Sequence, residues 1–251
     1  MVLRALLRYL NSVDFEDIMW KLDTEAVIKT ATNTVLDTLL EGGFENDVIT
    51  TIYGPAGAGK TNICVLSAVN VAKQGGKVIF IDTEGGFSVD RIKQICGNET
   101  EKVLERIFFF EPTTFEEQQE VFEKLKGMIN EEIKLIVVDT ISMLYRLELG
   151  KTEDVYSVNA LLGRQIAYLT QIARKSNIPI LISNQVYSDF DNPNGVKIVG
   201  GDLLKYGSKC LIELQQGHNG IRKAMLIKHR SQPQSKEILF KIVNEGIIAV
   251  D

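Results

Sequence analysis

The chain has 251 residues, 45% of them hydrophobic and 24% charged, with a formal net charge of −5. That composition suffices for one large core or two modest ones and excludes a disordered or fibrous protein. No apolar run reaches the about 18 residues that a transmembrane helix needs, so no membrane role is expected.

The three cysteines, Cys64, Cys96 and Cys210, lie far apart with no CxxC pair, and only His218 and His229 accompany them. This is not zinc-site spacing, and it fits a reducing, cytoplasmic setting. The amino terminus carries Arg4 and Arg8 inside its apolar segment and does not read as a signal peptide. Charge is unevenly spread. Residues 197–241 hold nine Lys and Arg against three Asp and Glu, while the rest of the chain is acidic. The average speaks against a phosphate-bearing partner; the distribution reopens that question.

In chain order, Leu3, Leu6, Leu7 and Leu10 fall at helical spacing, so residues 1–26 read as a helical extension and 27–251 as the main domain. From residue 48 short apolar strands alternate with amphipathic helices. The strands are Val48–Tyr53, Val78–Asp82, Ile107–Phe110, Leu135–Asp139 and Ile180–Asn184; the helices cover 60–73, 90–96, 114–130 and 159–177. Strands this apolar are buried on both faces, and the alternation specifies an α/β fold with a mainly parallel, twisted sheet flanked by helices. Beyond residue 208 only strands follow, at 209–215, 223–229, 237–243 and 247–250, with hairpin turns at 217–220 and 244–246. They predict an antiparallel carboxy-terminal extension.

Gly54, Pro55, Ala56, Gly57, Ala58, Gly59, Lys60 and Thr61 fit GxxxxGK[ST], between a predicted strand and a predicted helix that continues through Asn62. Chemistry demands that context. Glycines let backbone N–H groups wrap phosphates, and the helix amino terminus adds positive potential. Lys60 is expected at the β- and γ-phosphates of ATP and Thr61 at Mg²⁺. Asp139 ends Leu135-Ile-Val-Val-Asp139, the position of a second magnesium-holding group. Glu84, in Asp82-Thr-Glu84-Gly-Gly, is the candidate for polarising the attacking water. Gln185, just past Ile180–Asn184, is placed to hydrogen-bond the γ-phosphate and report its loss to the loop that follows.

These segments, with Ala173-Arg-Lys-Ser-Asn-Ile-Pro179 and Ser183-Asn-Gln-Val186, resemble the RecA/RadA recombinase ATPase core from about Val27 to Asp251. Asp82-Thr-Glu-Gly-Gly-Phe-Ser88 and Lys228-His229-Arg230 are most similar to its short archaeal RadB branch. The resemblance implies a RecA-like fold, ATP and Mg²⁺ as cofactors, and a role in DNA repair and homologous recombination. Residues 1–26 are too short for the helix-hairpin-helix DNA-binding domain of filament-forming relatives.

The branch implies weak ATP hydrolysis and a mediator or regulatory role without efficient strand exchange. Partners would be single-stranded or branched DNA, bound weakly, a recombinase or junction-processing nuclease, and a further copy of the chain through self-association. By the same resemblance Arg91 lies against the adenine ring. Residues 146–158 and 186–199 form the two DNA-binding loops, with Arg146, Lys151 and Lys197 as contacts and Tyr145, Tyr187 and Phe190 for stacking. Lys228 and Arg230 would reach a neighbouring subunit's γ-phosphate. Two alternatives remain: a KaiC-like signalling ATPase, and a nucleotide-switched binding module without meaningful hydrolysis.

Overall fold

The structure, a computed structural model, describes residues 27–188 and 196–250. The helical extension expected in 1–26, and Phe190, lie outside the described residues.

The chain begins with β1 (Lys29–Thr30), α1 (Val35–Leu39) and β2 (Phe44–Glu45). Then come β3 (Ile49–Tyr53), α2 (Lys60–Lys73), β4 (Lys77–Asp82), α3 (Val89–Cys96), α4 (Thr100–Leu104) and β5 (Ile107–Phe110). They are followed by α5 (Phe115–Met128), β6 (Ile133–Asp139), α6 (Ser142–Leu149), α7 (Val155–Ser176) and β7 (Ile180–Asn184). A small hairpin, β8 (Val186–Ser188) and β9 (Val196–Ile198), and α8 (Gly201–Gly207) lead to β10 (Cys210–Gln216), β11 (Ile221–Lys228), β12 (Glu237–Val243) and β13 (Gly246–Val250).

Nine strands form one sheet in the order β13-β12-β11-β10-β3-β7-β6-β4-β5. Pairings from β10 to β5 are parallel and those from β10 to β13 antiparallel, as the sequence predicts. Alternation along the strands supplies two cores. Val78, Phe80, Leu135, Val137 and Leu181 face α2 and its neighbours. Ile79, Ile81, Ile136, Val138, Ile180 and Ile182 face α5, α6 and α7. A sheet covered on both sides leaves only its strand ends open, and in an open α/β sheet ligands bind beyond the carboxyl ends.

Register decides what gathers there. Asp82 pairs with Asp139 across β4 and β6, and Tyr53 with Asn184 across β3 and β7. The segments that follow all four strands therefore emerge along one edge. Helix ends are set by local chemistry: Thr114 accepts from Glu117 N at 3.1 Å to start α5, Asp154 accepts from Ser157 N at 3.0 Å to start α7, and Asn177 in the left-handed region (φ 50°) stops α7.

One expectation is corrected. The first DNA-binding loop, placed at 146–158, is mostly helix: α6 runs to Leu149, α7 starts at Val155, and only 150–154 connect them. Leu144 and Tyr145 are buried under α5 and α7, and that burial outweighs the loop-like composition of the segment.

Candidate functional site

At the carboxyl edge a cavity of about 420 Å³ is lined by Gly54, Lys60, Thr61, Glu84, Gln185 and Arg222, among others. Its floor is the turn from β3 into α2. Gly59 caps α2 with φ 103°, a left-handed conformation that L side chains resist, and offers no side chain to the first N–H groups of the helix. Those donors stay available to an anion. Gly54 is required for a different reason. A Cβ there would meet the Leu214 carbonyl oxygen at 2.2 Å, so only glycine lets β10 pass this close.

Lys60 is buried, at 7% exposure, and donates Nζ to the carbonyls of Gly54 (2.9 Å) and Pro55 (3.0 Å). Burial pushes its ammonium below the usual lysine range, while the charges of Glu84 and Asp139 oppose that shift. A cation held by nothing stronger than two carbonyls can be taken over by phosphate oxygens.

Asp139 is fully buried at the end of β6. Ser183 donates to its Oδ1, Thr61 hydrogen-bonds the same carboxylate, and Oδ2 has no hydrogen-bond partner among the described residues. Burial pushes its pKa up to about 6, against the lowering effect of the Ser183 and Thr61 hydroxyls. A buried carboxylate oxygen left open beside a threonine hydroxyl suits a hard divalent cation with oxygen ligands. By this test the residues fit Mg²⁺.

Glu84 is exposed and lines the cavity on a loop that Asp82 organises. The Asp82 carboxylate accepts backbone N–H bonds from Glu84 (3.0 Å), Gly85 (3.0 Å) and Phe87 (2.8 Å). Phe87 anchors the far end of that loop against Phe80 and Phe109, with ring centroids 5.0 and 4.3 Å away. Gln185 bridges outward from this carboxylate: its Nε2 donates to Glu84 Oε1, and its Oε1 accepts from Arg146 Nη1 at 2.6 Å.

Among the other residues expected at a site, Arg91 sits on α3 beside Asn62. It donates Nε to Asn62 Oδ1 (3.2 Å), Nη2 to Val243 O (2.8 Å) and Nη1 to Asn244 O (2.8 Å), which pins the β12–β13 turn to the phosphate-loop helix. Lys151 pairs with Glu148 at 3.3 Å on the surface, and Lys197 lies across from Tyr187 in the β8–β9 hairpin. Tyr187 is half exposed. Tyr145 is not available for stacking on DNA. It is buried, its hydroxyl donates to Asn159 Oδ1 at 2.5 Å, and its ring packs edge-on against Phe115.

Lys228 and Arg230 are not brought to this cavity. Lys228 pairs in register with Leu211, near the amino end of the parallel strands, at the opposite edge of the sheet from Gly54. Its Nζ donates to Lys205 O (2.6 Å) and Ser208 O (2.8 Å). Arg230 meets Glu45 at 2.5 Å and Asp47 at 2.9 Å. Within one chain these two basic groups are already engaged.

Four contributors escaped sequence reasoning. Arg222 donates Nε to Gly57 O at 3.2 Å, Gln216 donates Nε2 to Ala56 O at 2.6 Å, and Ile242 would touch a Cβ at Gly59 at 3.2 Å. Asp82 is the fourth. The antiparallel extension is thus a collar around the phosphate loop. The basic segment was a signal for Arg222; nothing local marks Ile242.

The Rad51 family profile matches residues 23–250. The chain belongs to the Rad51 family. It is 45% identical over 214 residues to the DNA repair and recombination protein RadB of Methanococcus maripaludis strain C7, an alignment covering 85% of this chain and 97% of that one. Identity to the RadB of Methanobrevibacter smithii is 43% over 226 residues, covering 88% and 95%. A solved structure described as the RadB recombinase superposes with a TM-score of 0.77 at 37% identity, covering 88% of this chain and 99% of the other. Membership in the Rad51 family accounts for the RecA-like sheet order and for a nucleotide site at this edge. Among the described residues no helix is long and apolar enough to cross a membrane.

Proposed function

We propose that the chain is an ATP- and DNA-binding recombinase paralogue acting in DNA repair and homologous recombination, a weak Mg²⁺-dependent ATPase with a mediator or regulatory role and no efficient strand exchange. The observation that carries this reading is the convergence of Lys60, Thr61 and Glu84 on one cavity of a Rad51-family fold, with the buried Asp139 carboxylate hydrogen-bonded to Thr61 behind it.

Thr61 and Asp139 would hold Mg²⁺, which when bound supplies charge neutralisation at the β- and γ-phosphates. The chain's own residues do the rest. The N–H groups from Gly57 to Thr61 cradle phosphate oxygens, Lys60 exchanges its two carbonyls for the γ-phosphate, and Glu84 accepts a proton from the attacking water. Arg91, whose in-plane donors are spent on Asn62 and the β12–β13 turn, keeps the faces of its guanidinium for the adenine. Weak hydrolysis follows from a carboxylate that is exposed and already holds an amide.

For DNA, Arg146, Lys151, Lys197 and Tyr187 are the contacts, on α6, the connection after it, and the hairpin beyond β7. Glu148, Glu153 and Asp154 stand among them, so binding should be weak and fall steeply with salt. Lys228 and Arg230 could serve only a neighbouring copy, which would have to displace Arg230 from Glu45 and Asp47. A recombinase or junction nuclease is the expected protein partner.

Single-turnover ATP hydrolysis with and without single-stranded DNA tests the reading. Lys60→Ala and Glu84→Gln should each lower the rate by about 10²-fold or more, the usual scale for losing a positioned base or phosphate cation. If wild type hydrolyses no faster than Glu84→Gln yet still binds ATP, the nucleotide-switched module is the better description.

A further inference from the structure

The cavity ends in a chain of three side chains that runs out of it: Glu84, then Gln185, then Arg146. Arg146 projects from α6, is exposed, and belongs to none of the phosphate-binding motifs. A primary amide between a guanidinium and a carboxylate has no freedom of orientation. A guanidinium only donates and an ionised carboxylate only accepts, so the Gln185 oxygen must face Arg146 and its N–H must face Glu84. Arg146 therefore decides what Gln185 offers to the cavity. One Glu84 oxygen is occupied by that N–H, and an occupied oxygen is poorly placed to take a proton from water.

The backbone around Gln185 is fixed to the hairpin that follows. Asn184 Nδ2 donates to Val199 O at 2.7 Å, and Val199 N donates to Gln185 O at 3.1 Å, closing the base of β8 and β9. Side-chain rotation, rather than strand movement, is thus the freedom left to Gln185. Removing the guanidinium would remove one of the two restraints on the amide and leave its N–H held by Glu84 alone. A nucleic-acid phosphate could do so without mutation, because a charged acceptor on the exposed face of α6 outcompetes a neutral amide oxygen.

We propose that Arg146 is a positioning residue for hydrolysis: by holding the Gln185 oxygen it keeps the amide N–H on Glu84, and a nucleic-acid phosphate that captures Arg146 releases Gln185 to the γ-phosphate and Glu84 to the water. The inference rests on the hydrolytic reading above and goes beyond phosphate affinity: Arg146 acts on turnover when no DNA is present. Arg146→Ala should raise DNA-free kcat by about three- to tenfold, the scale of one hydrogen bond, with KM for ATP altered less than about twofold. Stimulation by single-stranded DNA should shrink toward none. Arg146→Lys, which keeps a donor near the amide, should fall between the two.

A second readout does not need hydrolysis. In the full chain labelled with ¹⁵N-glutamine, the Gln185 side-chain amide resonance, assigned by Gln185→Asn, should move when a short single-stranded oligonucleotide is added and should already be moved in Arg146→Ala without it. A DNA-free kcat for Arg146→Ala equal to or below wild type, or an amide resonance indifferent to both changes, overturns the proposal. Failure of the hydrolytic reading shows differently: wild type would match Glu84→Gln in turnover while the amide shift remained.

Discussion

The two edges of the sheet treat charge in opposite ways. At the amino edge, Glu45 is buried and meets Arg230 at 2.5 Å, Ser231 donates to the same carboxylate at 3.2 Å, and Asp47 takes the remaining face of the guanidinium at 2.9 Å. Within this cluster each charge faces its opposite. At the carboxyl edge, among the described residues, Asp139 keeps a buried oxygen without a partner, Lys60 hydrogen-bonds only carbonyls, and the first turn of α2 has no side-chain cap. Burial of polar groups is costly unless they are paired, so a fold that leaves them open behind the cavity and closes them in the Glu45 cluster separates binding from support. The same residue types, acid and base near strand ends, thus mean structure in one place and a ligand in the other.

Three substitutions probe that contrast. The largest effect should come from Arg230→Ala, which leaves the buried Glu45 carboxylate with only the Ser231 hydroxyl and the His229 ring, 3.7 Å away, beside it. A loss of about 2–4 kcal/mol in unfolding free energy by urea titration is expected, whatever happens to nucleotide binding. An unchanged midpoint together with altered ATPase rate and oligomer size would instead assign Arg230 to a neighbour's site.

Asp139→Asn should act in the opposite sense and stabilise the chain without Mg²⁺. With its pKa raised from 3.8 to about 6, Asp139 retains its proton in the folded state over a window where the unfolded chain has lost it. Stability conferred at low pH is therefore lost as pH rises from about 4 to about 6. At pH 7.5 the variant should gain on the order of 2 kcal/mol over wild type, and the gain should vanish as pH falls through that window. A flat pH dependence of the difference would contradict this account of Asp139.

The smallest effect should be Tyr145→Phe. It removes the hydroxyl bond to Asn159 but keeps the ring against Phe115, for a cost of about 1 kcal/mol in thermal unfolding. DNA affinity should be unchanged, since the ring is covered. A drop in affinity would return Tyr145 to the DNA surface.

Legibility in the sequence followed how local the determinants are. Strands β5, β7 and β12 and helix α2 appear with the bounds their apolar runs and turn residues predict, because each pattern is complete within a few residues. The glycine-rich turn into α2 and the place of Asp139 at the end of β6 were readable for the same reason. Helix α6 was not, because Leu144 and Tyr145 acquire their meaning only from α5 and α7, which cover them. The collar of Gln216, Arg222 and Ile242 was hidden more deeply: it reaches the phosphate loop across about 160 residues or more, and an Ile on an antiparallel strand carries no mark of its neighbour.

Calorimetric titration of ATP into the full chain, with and without Mg²⁺, for wild type and Asp139→Asn tests the claim of an unfinished carboxyl edge most directly. Wild type should bind ATP more tightly with Mg²⁺, the gain should weaken as pH drops below about 6, and Asp139→Asn should bind ATP alone but lose the Mg²⁺ gain. Equal Mg²⁺ dependence in the two proteins, or no ATP binding by wild type, would contradict it.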